Sequence, residues 1–356
     1  MTFFRSRFLA LSALVTVALF VGCVEKQESG GGGSVDESKK GAKGKAGKGK
    51  EGKGQVSKGK ARKGGALNRL GRMELNKAAV QLNAGVFWRA DGENEKTVDP
   101  GEVVSLLFYP PHEPWVKEGK LTEAFRKVYE AAVSEVKGEG SQGAKKLDAE
   151  EKKRRELVRK DLDQGRPTLV YNDLKKLSDK EKKFVRILHE VGKIIDSLYA
   201  KQKGIDGLAA KIPKDDKASQ SLFRRNWGPK CRGPKTEGKE GCSAIPGGWK
   251  EVVDVYPAAR QKKEGFCEAL KKEKNADKLL APFVVVREKD GKLQEVPYTV
   301  AYKPHMETVA KKLEQAAALL EVPKEKALVA YLKAAAKAFR DNDWKPADEA
   351  WAAMNA

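Results

Sequence analysis

The sequence predicts a mainly α-helical protein of the α+β class, with a small β-hairpin and a disordered N-terminal tether. Beyond residue 65, apolar residues mostly recur at spacings of three and four, which is typical of helices packed on a core. Two β-rich runs, residues 283–286 and 293–298, flank Asp290 and Gly291, a typical hairpin turn. The first 65 residues instead contain a short apolar run and a Gly/Lys-rich segment.

Residues 1–22 have the pattern of a secretory signal. Arg5 and Arg7 precede an apolar run over residues 8–22, which is too short to span a bilayer comfortably. Cys23 follows directly and resembles the lipobox cysteine of bacterial lipoproteins. The resemblance implies cleavage before Cys23, acylation of its thiol and stable anchoring in a membrane. Val24, rather than Asp, favours the outer membrane, so the expected location is the cell envelope, facing the periplasm or the exterior. The alternative is an ordinary cleaved signal with an incidental cysteine.

Residues 23–65 are predicted to form a polar linker that has too little apolar surface to build a core. Within residues 39–65, ten lysines and Arg62 face Glu51, a net charge of +10 out of +21 for the chain. Such a segment stays disordered and self-repelling, so we expect an extended tether. Its charge can hold anionic polymers of the envelope, whereas nucleic acid is an unlikely partner for a chain anchored outside the cytoplasm. The alternative is a solvated spacer with no specific ligand.

Residues 66–115 are predicted to form an EF-hand-like helix-loop-helix around residues 91–102. Lys96 occupies position 6 of that loop, where Gly is needed for the sharp turn, so the sequence predicts a weak calcium site. The alternative is a degenerate turn that packs without metal. The candidate ligands stand at loop positions 1, 3, 5, 7, 9 and 12: Asp91, Glu93, Glu95, Thr97, Asp99 and Glu102.

Residues 116–356 are predicted to form a mostly helical domain. Apolar spacing predicts a helix over residues 120–136, and a very charged run over 145–160 predicts a solvated helix. Ser178 and Glu181 form a capping box that starts the clearest helix, which extends to about residue 202. After the hairpin come two Ala-rich amphipathic helices, over residues 305–320 and 324–339.

Cysteine spacing predicts one disulfide bond. With Cys23 assigned to the lipid, three thiols remain and allow three pairings. Cys231 and Cys242 bracket a Gly/Pro/Lys loop that has little else to hold it, and an oxidising compartment permits a bridge there. We favour that pairing because Cys267 lies in a helical-looking stretch, which leaves Cys267 over.

A zinc site is not expected in this chain. The His189-Glu190 pair invites comparison with His-Glu-x-x-His, but positions 193 and 194 are Lys and Ile, so the second histidine is missing. The three histidines are far apart in sequence, and none stands at ligand spacing from a cysteine: His112, His189 and His305.

Five motifs, in this order, resemble the N-terminal half of bacterial dipeptidyl-peptidase III-type zinc metallopeptidases. The resemblance spans residues 167–351, about half of the chain. In that family the zinc histidines come from a His-Glu-x-x-Gly-His helix and a Glu from a following helix, both beyond the matched region. The resemblance therefore implies no zinc ligand at any position here. The motifs are the helix over residues 178–202, Phe223-Arg-Arg-Asn-Trp-Gly-Pro229, Val253-Asp-Val-Tyr-Pro257, the hairpin with Val296-Pro-Tyr-Thr-Val-Ala-Tyr302, and Asp341-Asn-Asp-Trp344 with Asp348-Glu-Ala-Trp351.

Two hypotheses follow from this resemblance. In the first, the protein is a lipid-anchored surface module that has no catalytic activity by itself. In the second, it is the N-terminal half of a split or truncated peptidase that acts on short peptides when completed, because the sequence stops at Ala356, where the family's catalytic half would begin. The sequence leaves the enzymatic status open.

Overall fold

The computed structural model describes residues 67–90, 97–110, 112–138 and 147–354. Helices dominate it, and the strands form three small antiparallel two-stranded sheets within these residues, which confirms the predicted α+β class. The helices are α1 (Arg72–Gln81), α2 (Glu123–Val136), α3 (Ala149–Leu162), α4 (Asp179–Gln202), α5 (Lys217–Asn226), α6 (Ala258–Gln261), α7 (Phe266–Lys271), α8 (Ala276–Leu279), α9 (Tyr298–Ala301), α10 (Lys303–Ala317), α11 (Lys326–Asp341) and α12 (Lys345–Ala353). The strands are β1 (Val86–Trp88), β2 (Val103–Ser105), β3 (Val116–Lys117), β4 (Lys120–Leu121), β5 (Val284–Lys289) and β6 (Lys292–Pro297).

Helix α4 and the two Ala-rich helices build the largest hydrophobic core. Apolar side chains spaced by three and four along α4, such as Ile187 and Val191, pack against α10, which in turn packs against α11. Leu332 of α11 is fully buried in this core, and Val285 brings the β5–β6 hairpin onto it. Small alanines on α10 and α11 allow the two helices to approach closely, so this part of the chain forms one packed body.

The β5–β6 hairpin forms where its sequence predicts it. The register pairs Val284 with Pro297 and Lys289 with Lys292. At the tip, Asp290 and Gly291 both have a positive φ, 51° and 73°, which the tight turn requires. The capping box at Ser178 is also present, with the Ser178 side chain accepting from the Glu181 N–H.

Two smaller cores complete the described part of the chain. Phe125 and Tyr129 of α2 are fully buried against α1 and the β1–β2 pair. Val158 and Leu222 join α3 to α5. They also contact the disulfide loop, which is the segment between Cys231 and Cys242. Among the described residues, no helix combines the length and the apolar composition that crossing a membrane requires.

The helix predicted before residues 91–102 is present as α1, but strand β1 lies between it and the loop, and strand β2 stands where the second helix is predicted. The preceding residues form β1 and the following ones form β2, which pair antiparallel with Trp88 opposite Val103. The β-branched and aromatic residues on both sides, Val86-Phe-Trp88 and Val103-Val104, satisfy their backbone groups better as a strand pair. The segment therefore joins two strands of a hairpin.

Candidate functional site

A cleft of about 700 Å³ opens beside the first half of α4. Four segments form its walls: residues 104–108 at and after β2, residues 169–177, the start of α4, and residues 319–325 between α10 and α11. Its volume lies within the range of about 300–1,000 Å³ that small-ligand sites in proteins occupy. The cleft is therefore large enough for a ligand.

The walls of the cleft are mainly apolar and unusually exposed. Ten large apolar side chains are exposed in the described part of the chain, and five of them line this cleft. Val170 is 84% exposed and Leu107 is 68% exposed. Scattered apolar side chains are ordinary on a surface, but a contiguous group marks an interaction site. The five are Leu107, Phe108, Val170, Tyr171 and Leu174.

Helix α4 presents one face to the core and another to the cleft. Ile187 and Val191 are buried in the main core, whereas Phe184 and Leu188, one turn apart, reach the cleft. The Phe108 ring lies over Gly192, where an added Cβ would be 3.5 Å from the ring. The hydrophobic periodicity of α4 thus places its cleft-facing side chains on a rigid support.

His189 is a polar group on this otherwise apolar face. Its ring meets Phe108 edge-on with the centroids 4.7 Å apart, and its buried Nε2 has no hydrogen-bond partner among the described residues. Burial, reinforced by the positive charge of Lys193, lowers the pKa of His189 below its ordinary value, so the ring is neutral at neutral pH. The Nε2 atom can therefore offer one hydrogen bond to a bound group.

Charged side chains stand at the rim of the cleft. Lys180 and Glu321 approach to 3.7 Å and connect the start of α4 to the connection before α11. Lys324 lines the cleft and takes part in no ion pair within the described residues. Glu181 and Glu325 also line the cleft, so charges of both signs stand beside the apolar floor.

Residues 169–172 belong to no helix or strand, and their backbone is unpaired. Within the part of the chain that the structure describes, none of these residues takes part in a backbone–backbone hydrogen bond. Two contacts hold the segment near its C-terminal end. The Arg89 guanidinium lies 5.2 Å from the centroid of the Tyr171 ring, and the side chain of Leu177 is buried. A stretch of backbone without backbone hydrogen-bond partners therefore lies along an apolar cleft.

The calcium ligands predicted in the loop are only partly within the described residues. Asp91, Glu93 and Glu95 lie outside them. Glu102 is buried, and its carboxylate accepts hydrogen bonds from Trp88 Nε1 at 2.9 Å and from the Asp99 N–H at 3.0 Å. These hydrogen bonds hold the hairpin together, and calcium binding stays a prediction.

Thr97, the remaining predicted ligand, lies within the described residues and is exposed. The described residues contain no group of three or more His, Cys, Asp or Glu side chains that could hold a metal ion.

Cys231 and Cys242 form a disulfide bond with their Cα atoms 5.8 Å apart. Cys267, which the predicted pairing leaves over, is not a free thiol. Cys23, the predicted lipidation site, lies outside the described residues. The disulfide loop is fastened to α3 by Asp161, whose buried carboxylate accepts from the backbone N–H groups of Arg232 and Gly233.

The cleft was not predicted from the sequence. The sequence holds one short signal for it. Thr168-Leu-Val-Tyr171, between Pro167 and Asn172, is a β-rich run typical of a strand, but no second β-rich run lies next to it in the sequence. In the sequence, His189 stands out only as part of an incomplete zinc motif, whereas the structure places it in the cleft.

Comparisons with known proteins give a partial likeness. No family model matches the chain, and no curated protein matches it. The chain is similar to the solved structure of dipeptidyl-peptidase III from Corallococcus sp. strain EGB, with 28% identity, 55% of this chain and 37% of that chain covered, and a TM-score of 0.47. It is also similar to DPP III from Caldithrix abyssi, with 25% identity, the same coverages and a TM-score of 0.44. The chain spans little more than a third of the length of these proteins.

Proposed function

We propose that this chain is a lipid-anchored, peptidase-like protein of the cell envelope that binds peptide segments and does not hydrolyse them by itself. The observation that carries the proposal is the apolar cleft beside the unpaired backbone of residues 169–172. Apolar side chains next to free backbone groups match the chemistry of a polypeptide. His189 adds a single polar contact, as expected for a site that orients its ligand.

The peptidase-like part of the proposal is supported by the way in which the motif segments pack. Although they are distant in sequence, α4, Val253, the β5–β6 hairpin, Trp344 and Trp351 all contribute to one hydrophobic core. Trp344 stacks on the Phe283 ring with the centroids 5.1 Å apart. Four of the five motifs that resemble the dipeptidyl-peptidase III-type enzymes thus pack into one body, whereas Phe223 of the remaining motif packs in the core around Val158 and Leu222.

The absence of hydrolysis by this chain alone is proposed from the chemistry of zinc peptidases. A hydrolytic zinc site needs three protein ligands and an open position for water. The resemblance places all of those ligands beyond the matched residues, and His189 is committed to the cleft beside Phe108.

Two assays on the full-length protein, solubilised in mild detergent, test these two halves of the proposal. With zinc and arylamide dipeptides, we expect no release above buffer, with an active zinc dipeptidyl-peptidase as the positive control. With fluorescent apolar peptides, we expect saturable binding by fluorescence anisotropy. Release that a chelator abolishes, or a lack of binding by every peptide, would contradict the corresponding half.

Anchoring has its own test. We expect Cys23→Ser to abolish labelling by a radioactive fatty acid and to leave the precursor unprocessed. A Cys267→Ser variant is the matched control for the loss of a cysteine and should still be labelled. A Cys23→Ser protein that partitions into membranes in its mature form would exclude the lipid anchor.

A second candidate function is favoured by the exposed apolar surface around Val170. In it, a second polypeptide that carries a His-Glu-x-x-Gly-His helix covers this surface and completes a zinc peptidase for short peptides. Mixing the two polypeptides should then produce zinc-dependent release of dipeptides that neither shows alone.

A further inference from the structure

We propose that Phe108 is a movable gate over His189, and that a peptide in the cleft pairs one uncharged polar group with His189 Nε2 when the gate is open. This inference rests on the proposed peptide binding and specifies the residue that selects the ligand. Three features of the described residues carry it: a buried polar atom without a partner, a strained backbone beside it, and fixed points on both sides of the strained turn.

The imidazole of His189 contains a polar atom that the folded chain leaves unsatisfied. Its Nε2 is buried and has no hydrogen-bond partner among the described residues. A buried polar group without a partner costs free energy, and native proteins seldom keep one without a function for it. The Phe108 ring packs edge-on against the imidazole. Phe108 is 42% exposed whereas His189 is half-buried, so the Phe108 ring forms the outer side of this contact.

Phe108 has a backbone conformation that a bulky residue seldom adopts. Its φ is 63°, in the left-handed region, where a side chain crowds its own backbone. Leu107 and Phe108 form a turn after β2, and neither takes part in a backbone–backbone hydrogen bond within the described residues. Strained residues cluster at ligand clamps and switches. The strain and the unpaired Nε2 occur at the same contact, and both are relieved when the ring moves and a ligand binds.

The turn is fixed on both sides, so a movement of the ring is confined to it. Before the turn, the Leu106 N–H donates to the Gly85 carbonyl at 2.8 Å. After it, Tyr109 packs so closely on Gly85 that an added Cβ would be 2.9 Å from Tyr109 Cβ. The Arg224 guanidinium lies 4.0 Å from the centroid of the Tyr109 ring. The turn therefore changes conformation between two fixed ends.

Gly192 leaves the space on α4 in which the Phe108 ring packs. It follows His189 by three residues, so the two positions are neighbours on the helix surface. The atoms nearest to a Cβ added at Gly192 both belong to the Phe108 ring. Contacts of this kind are individually weak and have no preferred direction. The ring can therefore leave this position without breaking a hydrogen bond.

The surroundings of His189 determine the group that the ligand offers. The imidazole is neutral at neutral pH, and Phe184 and Leu188 beside it are apolar. A charged group would lose its water here without gaining a counter-ion, whereas a hydroxyl or an amide gains a hydrogen bond. The site therefore favours an apolar ligand that carries one hydroxyl or amide group.

Charged residues of both signs stand around this contact. On α4 they are Lys193 and Glu190, and Glu190 forms an ion pair with Lys312 of α10. The rim charges begin at Lys180, about 13 Å before His189 along the helix at a rise of 1.5 Å per residue. Because both signs are present, the rim does not favour one charge on the ligand, and selection depends on His189. The other charged residues of the cleft are Glu181, Glu321, Lys324 and Glu325.

Histidine NMR tests the gate on the full-length protein in detergent, purified without a histidine tag and without any peptide. Labelling of histidine Cε1 with ¹³C gives one signal for each of His112, His189 and His305, and His189→Gln identifies its own. Phe108→Ala should raise the pKa of His189 toward its ordinary value, because water then reaches the imidazole. Leu107→Ala, at the neighbouring exposed position of the same turn, is the matched control and should leave that pKa unchanged.

A second variant displaces the ring without changing Phe108. The side chain of Gly192→Leu would occupy the space in which the ring packs, and it should raise the pKa of His189 as Phe108→Ala does. Ser197→Leu, at an exposed position of α4, is its control. If His189 keeps the parent pKa in both variants while thermal melts show that they are folded, Phe108 does not cover His189 and the gate is overturned.

Fluorescence anisotropy tests the residue that selects the ligand. The probes are a short valine-rich peptide and a series in which threonine, which has nearly the same shape and adds a hydroxyl, replaces one valine at a time. We expect one threonine probe to bind on the order of tenfold more tightly than the valine probe. His189→Phe should abolish this preference, and Phe108→Ala should keep it. His112→Phe, at an exposed position that stacks on Trp115, is the matched control and should also keep it.

Each outcome decides one part of the proposal. A threonine preference that His189→Phe removes supports both parts, because Nε2 is covered in the free protein and the gate must open for the hydroxyl to reach it. If threonine and valine probes bind equally, or if the preference survives His189→Phe, His189 does not select the ligand and peptide binding stands. If no probe binds, the proposed function and the selecting role of His189 both fail, and the pKa values measured without peptide decide whether Phe108 covers His189.

Discussion

Asp161 lies at the end of α3 with a fully buried side chain, and replacing it with asparagine should destabilise the protein. Its Oδ2 accepts hydrogen bonds from the Arg232 N–H at 3.0 Å, the Gly233 N–H at 2.7 Å and the Thr236 hydroxyl at 2.5 Å. Its Oδ1 accepts from the Arg225 guanidinium. One carboxylate thus holds the disulfide loop and α5 against α3.

The size of the effect follows from these partners. An asparagine oxygen at the Oδ2 position keeps three hydrogen bonds but makes them neutral, which costs roughly 0.5–1 kcal/mol each. The amide nitrogen then faces the guanidinium of Arg225, which is 35% exposed, so the lost ion pair adds about 1 kcal/mol. We expect Asp161→Asn to lower the free energy of unfolding by about 2.5–4 kcal/mol.

Urea unfolding followed by tryptophan fluorescence measures this difference. Glu150→Gln, an exposed carboxylate on the same helix, is the matched control and should change the free energy of unfolding by less than about 0.5 kcal/mol. If the midpoints of Asp161→Asn and Glu150→Gln coincide, the carboxylate does not hold the loop, and the reasoning from its hydrogen bonds is wrong.

Four further predictions concern the disulfide, pH, the buried Glu102 and calcium. Cys231→Ser should lower the free energy of unfolding by about 3 kcal/mol, as estimated for a short loop, and a reductant should then have a much smaller effect on the melting temperature than in the parent. Partial burial opposes the ionisation of Glu251, but hydrogen bonds from two lysines outweigh it and lower its pKa to about 2; its contribution to stability is therefore complete above pH 4.5 and lost as the pH falls toward 2, and Glu251→Gln should flatten this dependence in acid melts. Glu102→Gln should lower the melting temperature without calcium, because Trp88 and Asp99 lose a charged acceptor, and equal melting temperatures would contradict this role. Several millimolar calcium should raise the melting temperature of the parent if the loop binds it, and Lys96→Gly should enlarge the shift.

The fold was predictable from sequence where local signals agree with the core. The capping box at Ser178 and the apolar periodicity after it predict α4, and Asp290-Gly291 between β-rich runs predicts the hairpin. The residues on both sides of 91–102 show that a loop motif alone does not predict the elements that flank it. Spacing of oxygen-bearing residues resembled an EF-hand, but the neighbouring Val86-Phe-Trp88 has strand propensity, and pairing with β2 determined the structure.

The cleft could not be predicted because its walls come from four separate parts of the chain. Residues 104–108 and 319–325 are more than two hundred positions apart, and no periodicity within either indicates that they meet beside α4. In the sequence, Val170 and Tyr171 belong to a short β-rich run, and a sequence does not show whether such a run has a neighbour. Their exposure becomes visible only once the surrounding helices are in place.

Helix α4 contributes side chains both to the main core and to the cleft. Binding of a ligand in the cleft can therefore be detected as a change in the stability of the core. Ile187 and Val191 on its inner face belong to the main core, so the helix cannot unfold separately from that core. A molecule that fills the cleft against Phe184 and Leu188 therefore stabilises the whole folded unit in proportion to its affinity and concentration. Libraries of peptides can be screened by thermal denaturation alone, without a label and before any substrate has been identified.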